Sequence, residues 1–391
     1  MGRWKDKYVI GLTGNIATGK SLVRRMLEHL GAYTIDADGL AHQAMAPGAP
    51  AYKPVVLTFG QWILDADKRI DRGRLGAVVF SHPEALKRLE ALTHPIIIRA
   101  IDTLIARSKQ KIVVVEAIKL LETPLADRLD AVWVVDADEN TQLERLAKRG
   151  LDREAALKRV RSQNPQAEKL ARADVIIYNE GTPDETWAQV RAAWKQVQTV
   201  MQQGDVEELV RRVDVAPGQH QPAAGQRAIT SIDILRGMPQ NAEQIASVLK
   251  LRTGRDLSRE DVIMLLGQRS YMMAVADGRP LGLVGFVVEN LVMRADELFV
   301  LKGAPVRPTI SALLDAVEQA SKALQSEIGY IFLPENTARD MVESVVQQGY
   351  QQMKIEEIRV PAWREAARES QPAGTVIFAK KLRAERVLKP L

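Results

Sequence analysis

The segment Gly14-Asn-Ile-Ala-Thr-Gly-Lys20-Ser21 constrains this chain more than any other feature. It matches G-x-x-x-x-G-K-[ST], follows an apolar strand pattern at 8–13 and precedes an amphipathic helix pattern at 20–30. Such a loop needs glycine at its tight positions, because backbone N–H groups must converge on phosphate oxygens at the positive end of the helix dipole. The segment therefore predicts a nucleoside triphosphate site, formed by Gly14, Asn15, Ile16, Ala17, Thr18, Gly19, Lys20, Ser21 and Leu22.

Two side chains of this loop have the chemistry to handle phosphate. Lys20 is predicted to reach the β- and γ-phosphates as a point charge, and the Ser21 hydroxyl is predicted to ligate Mg²⁺. The motif indicates triphosphate binding, but on its own it does not distinguish a kinase from an ATPase or a GTPase.

Short apolar runs alternate with helical patterns in the first half of the chain. This alternation predicts an α/β fold, in which a parallel sheet is covered by helices on both faces. A long, mostly helical stretch at 39–110 has the size of an acceptor-binding insertion. Strands are predicted at 32–35, 111–116, 131–135 and 175–178, and helices at 83–107, 139–149 and 182–203.

Asp36 and Asp38 follow the predicted second strand, at the sheet edge where ligands bind in open α/β folds. If the segment is extended, the two side chains point the same way, and Asp38 is placed to accept the proton of an attacking hydroxyl. The alternative is a turn in which these carboxylates cap the next helix. The spacing favours neither interpretation.

The chain changes character after residue 203. Residues 204–228 include a run rich in Pro, Gly and Gln with no apolar periodicity, which predicts a linker between a first domain at 1–203 and a second at 229–391. The second domain is predicted to be α+β. Its predicted strands are 229–235, 271–276, 281–289, 296–301, 329–333, 350–358 and 373–380, and its helices are 240–252, 258–267, 309–325 and 337–348.

Composition excludes several classes of function. The 391 residues contain no cysteine, so disulfides, thiolate catalysis and cysteine zinc sites are excluded. The formal net charge of +5 comes without a long Lys/Arg block, which argues against nucleic acid as a partner. No apolar run reaches the length of a membrane span, and the N-terminus lacks an apolar signal core. We therefore expect a cytoplasmic protein.

The first half resembles the dephospho-CoA kinase family in a series of short motifs in the family's order. The resemblance implies a P-loop NTPase-type sheet with a helical insertion and a lid, ATP and Mg²⁺ as cofactors, and transfer of the γ-phosphoryl group to the ribose 3′-hydroxyl of dephospho-CoA. The motifs are Thr13 to Ser21, Ile35 to Asp38, Pro47 to Pro50, Phe59-Gly60, Asp71-Arg72, Leu75, Val79-Phe80, His94-Pro95-Ile96, Gln163, Ala173 to Asn179, and Gly181.

The same resemblance implies roles for particular residues. Asp38 is the general base, with Lys20 as its catalytic partner, and Asp36, Asp38, Arg72 and His94 contact the acceptor. Residues 145–163 form the lid, where Arg145 and Arg149 are the expected contacts to ATP because arginine suits phosphoryl oxygens. Two alternatives stay open: the basic stretch as a solvated helix face, and His94 as a packing residue beside Pro95.

The chain departs from the family pattern at three places. Leu22 replaces the usual threonine after the loop serine, and Ala17 replaces a usual mid-loop glycine, which would stiffen the loop. Residues 116–122 keep two acidic groups, but they lack the family's proline and phenylalanine and introduce Lys119. The altered segment leaves open a kinase for another nucleoside or nucleotide, and a non-catalytic nucleotide- or CoA-sensing module is a third interpretation.

The second half loosely resembles the GNAT acetyltransferase fold, through Ile331 to Asn336, Ala338 and Gly349-Tyr350. This resemblance implies a CoA or acyl-CoA ligand. The family's pyrophosphate loop would lie just before the helix predicted at 309, but Pro305 and Pro308 remove N–H donors there. The prolines argue against acetyl-CoA binding in the family manner and favour a role in interaction or regulation.

Overall fold

In the computed structural model, the described residues are 4, 6–209, 232–289 and 291–387, with backbone only for 202–209. The first half contains a five-stranded, all-parallel sheet in the order β2-β3-β1-β4-β5. The predicted parallel sheet is confirmed, and the strand before the phosphate loop is its central strand. The strands are β1 Tyr8–Thr13, β2 Tyr33–Asp36, β3 Ile112–Glu116, β4 Ala131–Asp136 and β5 Val175–Tyr178.

Nine helices accompany this sheet within 6–209. They are α1 Lys20–His29, α2 Ala37–Ala44, α3 Tyr52–Phe59, α4 Arg72–Val79, α5 Pro83–Arg107, α6 Glu139–Lys148, α7 Arg153–Arg161, α8 Gln166–Leu170 and α9 Pro183–Leu209.

The sheet is covered on both faces, as the nearly continuous apolar strands predict. On one face, α1 and α9 pack apolar side chains such as Met26 and Trp194 against β1 and β4. On the other, Ile101 and Leu104 of the second half of α5 pack against β3. The first half of α5 instead closes a small separate core with α3 and α4, within the stretch predicted as an insertion.

Helix α9 extends beyond its predicted end at 203 and ends at Leu209. Residues 204–209, predicted as the start of the linker, are therefore helical. The Pro/Gly/Gln-rich composition that predicted the linker begins only at Ala216. The remainder of that predicted linker, 210–228, lies outside the described residues.

The second half forms an α+β unit with a seven-stranded mixed sheet in the order β11-β12-β10-β9-β8-β7-β6, in which only β9 and β10 are parallel. The strands are β6 Asp233–Arg236, β7 Ser270–Ala276, β8 Arg279–Glu289, β9 Val292–Val300, β10 Ile328–Pro334, β11 Gln351–Met353 and β12 Thr375–Lys381. The helices are α10 Ala242–Thr253, α11 Arg259–Leu266, α12 Val306–Ala323, α13 Arg339–Gln347 and α14 Pro361–Ser370.

Two predictions for this half were wrong. The strand expected at 350–358 ends at Met353, and α14 was missed, although Pro361 at its first position and the alanines after it favour a helix. Helix α12 begins at Val306 rather than 309, because Pro308 lies in the first turn, where no intrahelical N–H donor is required.

The two halves are in direct contact. Leu291 and Val387 of the second half join the apolar cluster under the first sheet, and Gln325 donates its side-chain amide to the Leu104 carbonyl. In the part of the chain that the structure describes, no helix has both the length and the apolar character needed to cross a bilayer.

Candidate nucleotide and acceptor site

The phosphate loop connects β1 to α1 through three residues with positive φ. Gly14 has φ 147° and Gly19 has φ 99°, and a Cβ on either would lie 2.4 Å from the Val135 carbonyl oxygen or 2.0 Å from Asn179 Nδ2. Both positions therefore require glycine. Ala17 also adopts the left-handed region, at φ 60°, while its methyl group packs with Leu146. The packing explains an alanine at a strained position.

Side chains from residues 145–179 brace this loop. Asn15 and Ile16 donate their backbone N–H groups to Gln166 and Gln163, at 3.1 and 2.8 Å. Asn179, which is buried, donates from its side-chain amide to the Thr18 carbonyl at 2.7 Å. The last residue of the predicted lid, the first residue of α8 and the residue after β5 thus hold the loop's backbone in one shape.

Arg145 and Arg149, both expected to contact ATP, occupy different environments. Arg145 donates to the carbonyls of Ala17, Thr18 and Asn179, at 3.1, 3.1 and 2.6 Å. Its guanidinium therefore already donates to three backbone carbonyls, two of them in the loop. Arg149 follows the last residue of α6 and is exposed. Burial is the main cause that lowers the pKa of Lys20, and the charge of Arg149 lowers it further.

Lys20 begins α1 and is buried within the loop. Its ammonium group donates to the Asn15 carbonyl at 3.2 Å. Burial lowers the pKa of Lys20, while Glu116 and Asp38 act in the opposite direction. The charges of Glu116 and Asp38 stabilise the protonated form of Lys20. An anionic triphosphate bound in the loop would add a further negative partner.

Ser21 is exposed at the mouth of the loop and donates its hydroxyl to Glu116 Oε1 at 3.1 Å. The other oxygen of Glu116 accepts from Arg24 Nε at 2.6 Å, and this ion pair is almost fully buried. Glu116 ends β3, which lies next to β1, so its carboxylate reaches the loop from the neighbouring strand. The sequence analysis did not select Glu116 as a site residue.

Asp36 and Asp38 have different partners, and of the two alternatives left open by the sequence the helix-capping turn is the one observed at Asp36. Asp36 ends β2 and caps α2 by accepting from the Gly39 N–H at 3.0 Å, as the capping alternative predicted. Asp38 lies in the first turn of α2 and accepts from the Ile118 N–H at 3.2 Å. Burial, followed by the Asp36 charge, raises the pKa of Asp38 to about 6.

Lys169 is a second lysine at the loop that the sequence analysis did not identify. It lies on the short helix α8, is buried, and donates its ammonium group to Asn15 Oδ1 at 2.6 Å. Burial, and then the neighbouring charge of Lys20, lowers the pKa of Lys169 to about 8. No spacing rule connects a residue 149 positions along the chain with Lys20, so only the fold brings the two together.

The predicted acceptor residues Arg72 and His94 lie in the insertion, on α4 and α5. Arg72 pairs with Glu369 of α14 at 3.0 Å and lines a cavity of about 550 Å³. The cavity lies between α2, α4 and α14, so both halves of the chain contribute to its wall. His94 is half-buried on α5, immediately before Pro95. Arg72 also lines a second cavity with Gly39 and His42 of α2, close in the chain to Asp38.

The altered segment after β3 has partners of its own. Lys119 pairs with Glu90 of α5 at 3.2 Å and with Glu122 at 3.7 Å, and Glu122 accepts from the Asn164 side chain at 3.0 Å. The new lysine therefore ties the insertion to the segment that braces the loop. Among the described residues, no group of three His, Cys, Asp or Glu side chains is arranged to hold a metal ion by itself.

Comparisons with known proteins match this half of the chain. A family model described as dephospho-CoA kinase matches residues 8–185. A dephospho-CoA kinase of Geobacter metallireducens is 49% identical over 192 residues, which cover 48% of this chain and 96% of that protein. A solved dephospho-CoA kinase from Campylobacter jejuni is 31% identical, with a TM-score of 0.38, over 49% of this chain and 97% of that one.

Solved acetyltransferases also align with part of the chain. One is a PaiA N-acetyltransferase from Thermoplasma acidophilum in complex with coenzyme A, which is 12% identical with a TM-score of 0.30. The alignment covers 39% of this chain and 99% of that protein.

Proposed function

The chain belongs to the dephospho-CoA kinase family, and from that premise we propose which of its residues transfer the phosphoryl group. The reaction is ATP-dependent phosphorylation of dephospho-CoA, carried by the half of the chain that matches the family. The proposed acceptor atom is the ribose 3′-hydroxyl. The proposed domain boundaries are 1–203 for the kinase, with α9 continuing to Leu209, and 229–391 for the second domain.

ATP is proposed to place its phosphates in the loop 14–22, with Lys20 on the β- and γ-phosphates. Mg²⁺ is proposed to bind between these phosphates, Ser21 and Glu116, whose oxygens lie 3.1 Å apart on neighbouring elements. Hard oxygen ligands of this kind suit Mg²⁺, which keeps several waters and usually takes few protein ligands. The ion would neutralise charge that develops on the transferred group.

Asp38 is proposed as the general base. Two observations support this role: its carboxylate accepts from the Ile118 N–H, and the charges of Lys20 and Glu116 both act on its pKa. A pKa of about 6 leaves Asp38 ionised at neutral pH, yet basic enough to take a proton from a sugar hydroxyl. The transferred proton goes to Asp38 as the new oxygen–phosphorus bond forms and ADP leaves.

The acceptor's tail is proposed to lie against the insertion at 39–110, where Arg72 and His94 are available to its polar groups. Residues 145–163 are proposed as the lid, with Arg149 facing ATP and Arg145 supporting the loop from behind. No acyl-CoA site is proposed in the second half, because Pro305 precedes α12 and Pro308 lies in its first turn, where they remove donors to a pyrophosphate.

The observation that carries the proposal is the meeting of Asp38, Lys20 and Ser21 at one edge of the parallel sheet. We test it with Asp38→Asn and Lys20→Ala in an ATP-coupled assay on the full chain. Asp38→Asn is expected to lower kcat about 10²- to 10⁴-fold with ATP affinity nearly intact. Lys20→Ala is expected to weaken ATP binding as well.

A fully active Asp38→Asn would overturn the base assignment. An acceptor panel of dephospho-CoA, adenosine and nucleoside monophosphates checks the choice of substrate. Faster turnover of another acceptor would show that the altered segment around Lys119 has changed specificity, and ATP binding with no product from any acceptor would show a non-catalytic module.

A further inference from the structure

Helix α1, which carries Lys20 and Ser21, is buried on its polar side as well as its apolar side. Val23, Met26 and Leu27 pack in the core between β1 and α9. The opposite face carries Arg25 and Glu28, which are only 2% and 4% exposed. Charged side chains are almost never buried to this extent unless they are paired. Arg25 and Glu28 pair with each other at 3.1 Å, and another surface must exclude water from this pair.

The second domain supplies that surface. Glu289, at the end of β8, lies 3.0 Å from Arg25 and 3.5 Å from Arg24. Arg25 also donates to the Val288 carbonyl at 3.4 Å, and the His29 ring lies in hydrogen-bond contact with the Leu266 carbonyl at 3.2 Å. Since a carbonyl only accepts, Nε2 of His29 carries the proton in this contact.

Leu22 makes a packing contact at the same surface. A Cβ added to Gly267, just after α11, would lie 2.1 Å from Leu22 Cδ1. The leucine thus fits into the space left by a missing side chain on the second domain. This contact gives a physical reason for leucine at the position next to Ser21.

A continuous chain of polar contacts leads from this surface to the phosphate loop. Glu289 contacts Arg24, Arg24 donates to Glu116 at 2.6 Å, and Glu116 accepts from Ser21 at 3.1 Å. The Arg24–Glu116 pair is 5% and 7% exposed, so its charges are weakly screened and sensitive to any nearby charge. Arg24 also faces Thr34 of β2 at 3.4 Å.

We infer that the second domain holds α1 in place for phosphoryl transfer, and that Glu289 is a positioning residue for the kinase reaction. It keeps Arg24 on Glu116, so that Glu116 presents Ser21 and its own carboxylate to the nucleotide's metal ion. This inference rests on the proposed role of Ser21. In this role the second domain contributes to the kinase reaction without binding a ligand itself.

The test compares Glu289→Gln with Glu297→Gln in the full chain. Glu297 is a matched control: its side chain is 35% exposed against 34% for Glu289, and it contacts Arg269 and Tyr271 of its own domain. Glu289→Gln is expected to lower kcat/KM for ATP about three- to tenfold and to raise the Mg²⁺ concentration needed for half-maximal rate. The KM for dephospho-CoA is expected to stay constant, and Glu297→Gln to match the unmodified chain.

Calorimetric titration with Mg²⁺–ADP gives a readout independent of turnover, and Glu289→Asp, which keeps the charge, is expected to restore part of the loss. Glu289→Gln kinetics equal to those of Glu297→Gln would overturn the inference. So would a lower kcat that only follows the folded fraction, with both KM values and the Mg²⁺ dependence unchanged. Ser21→Ala is measured in the same assay. If its rate depends on Mg²⁺ as that of the unmodified chain does, the proposed metal role of Ser21 fails. The inference about Glu289 is then decided by the Mg²⁺–ADP titration.

Discussion

The backbone N–H of Ile118 donates to Asp38 Oδ2 at 3.2 Å, across the gap between the end of β3 and the first turn of α2. This bond favours the ionised carboxylate, but burial and the neighbouring Asp36 charge outweigh it and raise the pKa of Asp38 to about 6. The bond also fixes where the carboxylate points, because Ile118 follows the strand that pairs with β1. The Ile118 bond therefore fixes the position of the proposed base, whereas burial and the Asp36 charge set its basicity.

The first prediction concerns pH. Because a general base must be ionised, kcat/KM for dephospho-CoA is expected to fall about tenfold per unit as pH drops below about 6, and to level off above it. Asp36→Asn retains a helix-capping side chain but removes the charge that raises the pKa of Asp38. This variant is expected to move the fall in kcat/KM to lower pH. Asp38→Asn is expected to abolish this pH dependence. An identical pH dependence in all three proteins would assign the ionisation to another group.

The second prediction separates the two lid arginines. Arg145→Lys cannot span three backbone carbonyls with one ammonium group, so we expect both a lower melting temperature and ATP binding weakened about tenfold or more. Arg149→Gln removes an exposed charge near the loop and is expected to weaken ATP binding without changing the melting temperature. Thermal denaturation and nucleotide titration on both variants check this. Equal thermal effects would contradict the distinction.

The third prediction concerns Ala17. Replacing it by glycine relieves left-handed strain of about 1–2 kcal/mol, but it removes a buried methyl worth about 0.8 kcal/mol and adds a backbone entropy cost of about 0.5–1 kcal/mol. The free energy of unfolding is therefore expected to stay within about 0.8 kcal/mol of its original value, by the balance of these three effects. Ala91 lies at an exposed position within α5, so Ala91→Gly carries only the backbone entropy cost. Its free energy of unfolding is expected to fall by about 1 kcal/mol. Denaturant titration measures both variants. Without strain, Ala17→Gly would lose the methyl contribution in addition to the entropy, so a loss at Ala17 larger than the loss at Ala91 would show that Ala17 is unstrained.

The fourth prediction concerns the contact between Leu22 and Gly267. Leu22→Thr restores the residue usual in the family but removes apolar packing against the second domain, so we expect a loss of about 1 kcal/mol in stability. Leu57→Thr is the matched control, because Leu57 also lies in a short helix but is 85% exposed. Leu57→Thr changes only the helix propensity of an exposed position. Its free energy of unfolding is expected to change by less than about 0.5 kcal/mol. Denaturant unfolding measures both, and a loss at Leu22 no larger than at Leu57 would show that the contact contributes nothing.

Most of the fold of the first half could be predicted from local patterns. The strands β1 to β5 are short apolar runs, and helix α5 was predicted at its observed bounds, 83–107, from periodicity alone. The phosphate loop was predicted because glycines, a lysine and a serine at fixed offsets are needed wherever backbone amides surround a phosphate. The pattern failed for α14, where Pro361 starts a helix in a stretch too short and mixed to show a clear period.

The sequence by itself determined the loop, its lysine and serine, and the pair of acidic residues after β2, because each depends on residues close together in the chain. Only the tertiary structure decided that Asp36 caps a helix while Asp38 accepts from the Ile118 N–H, that Glu116 and Lys169 contact the same loop, and that Glu289 of the second domain contacts Arg24 and Arg25 of α1. These relations join residues up to 265 positions apart, such as Arg24 and Glu289. Strand order and domain contact create them, and no local propensity encodes either.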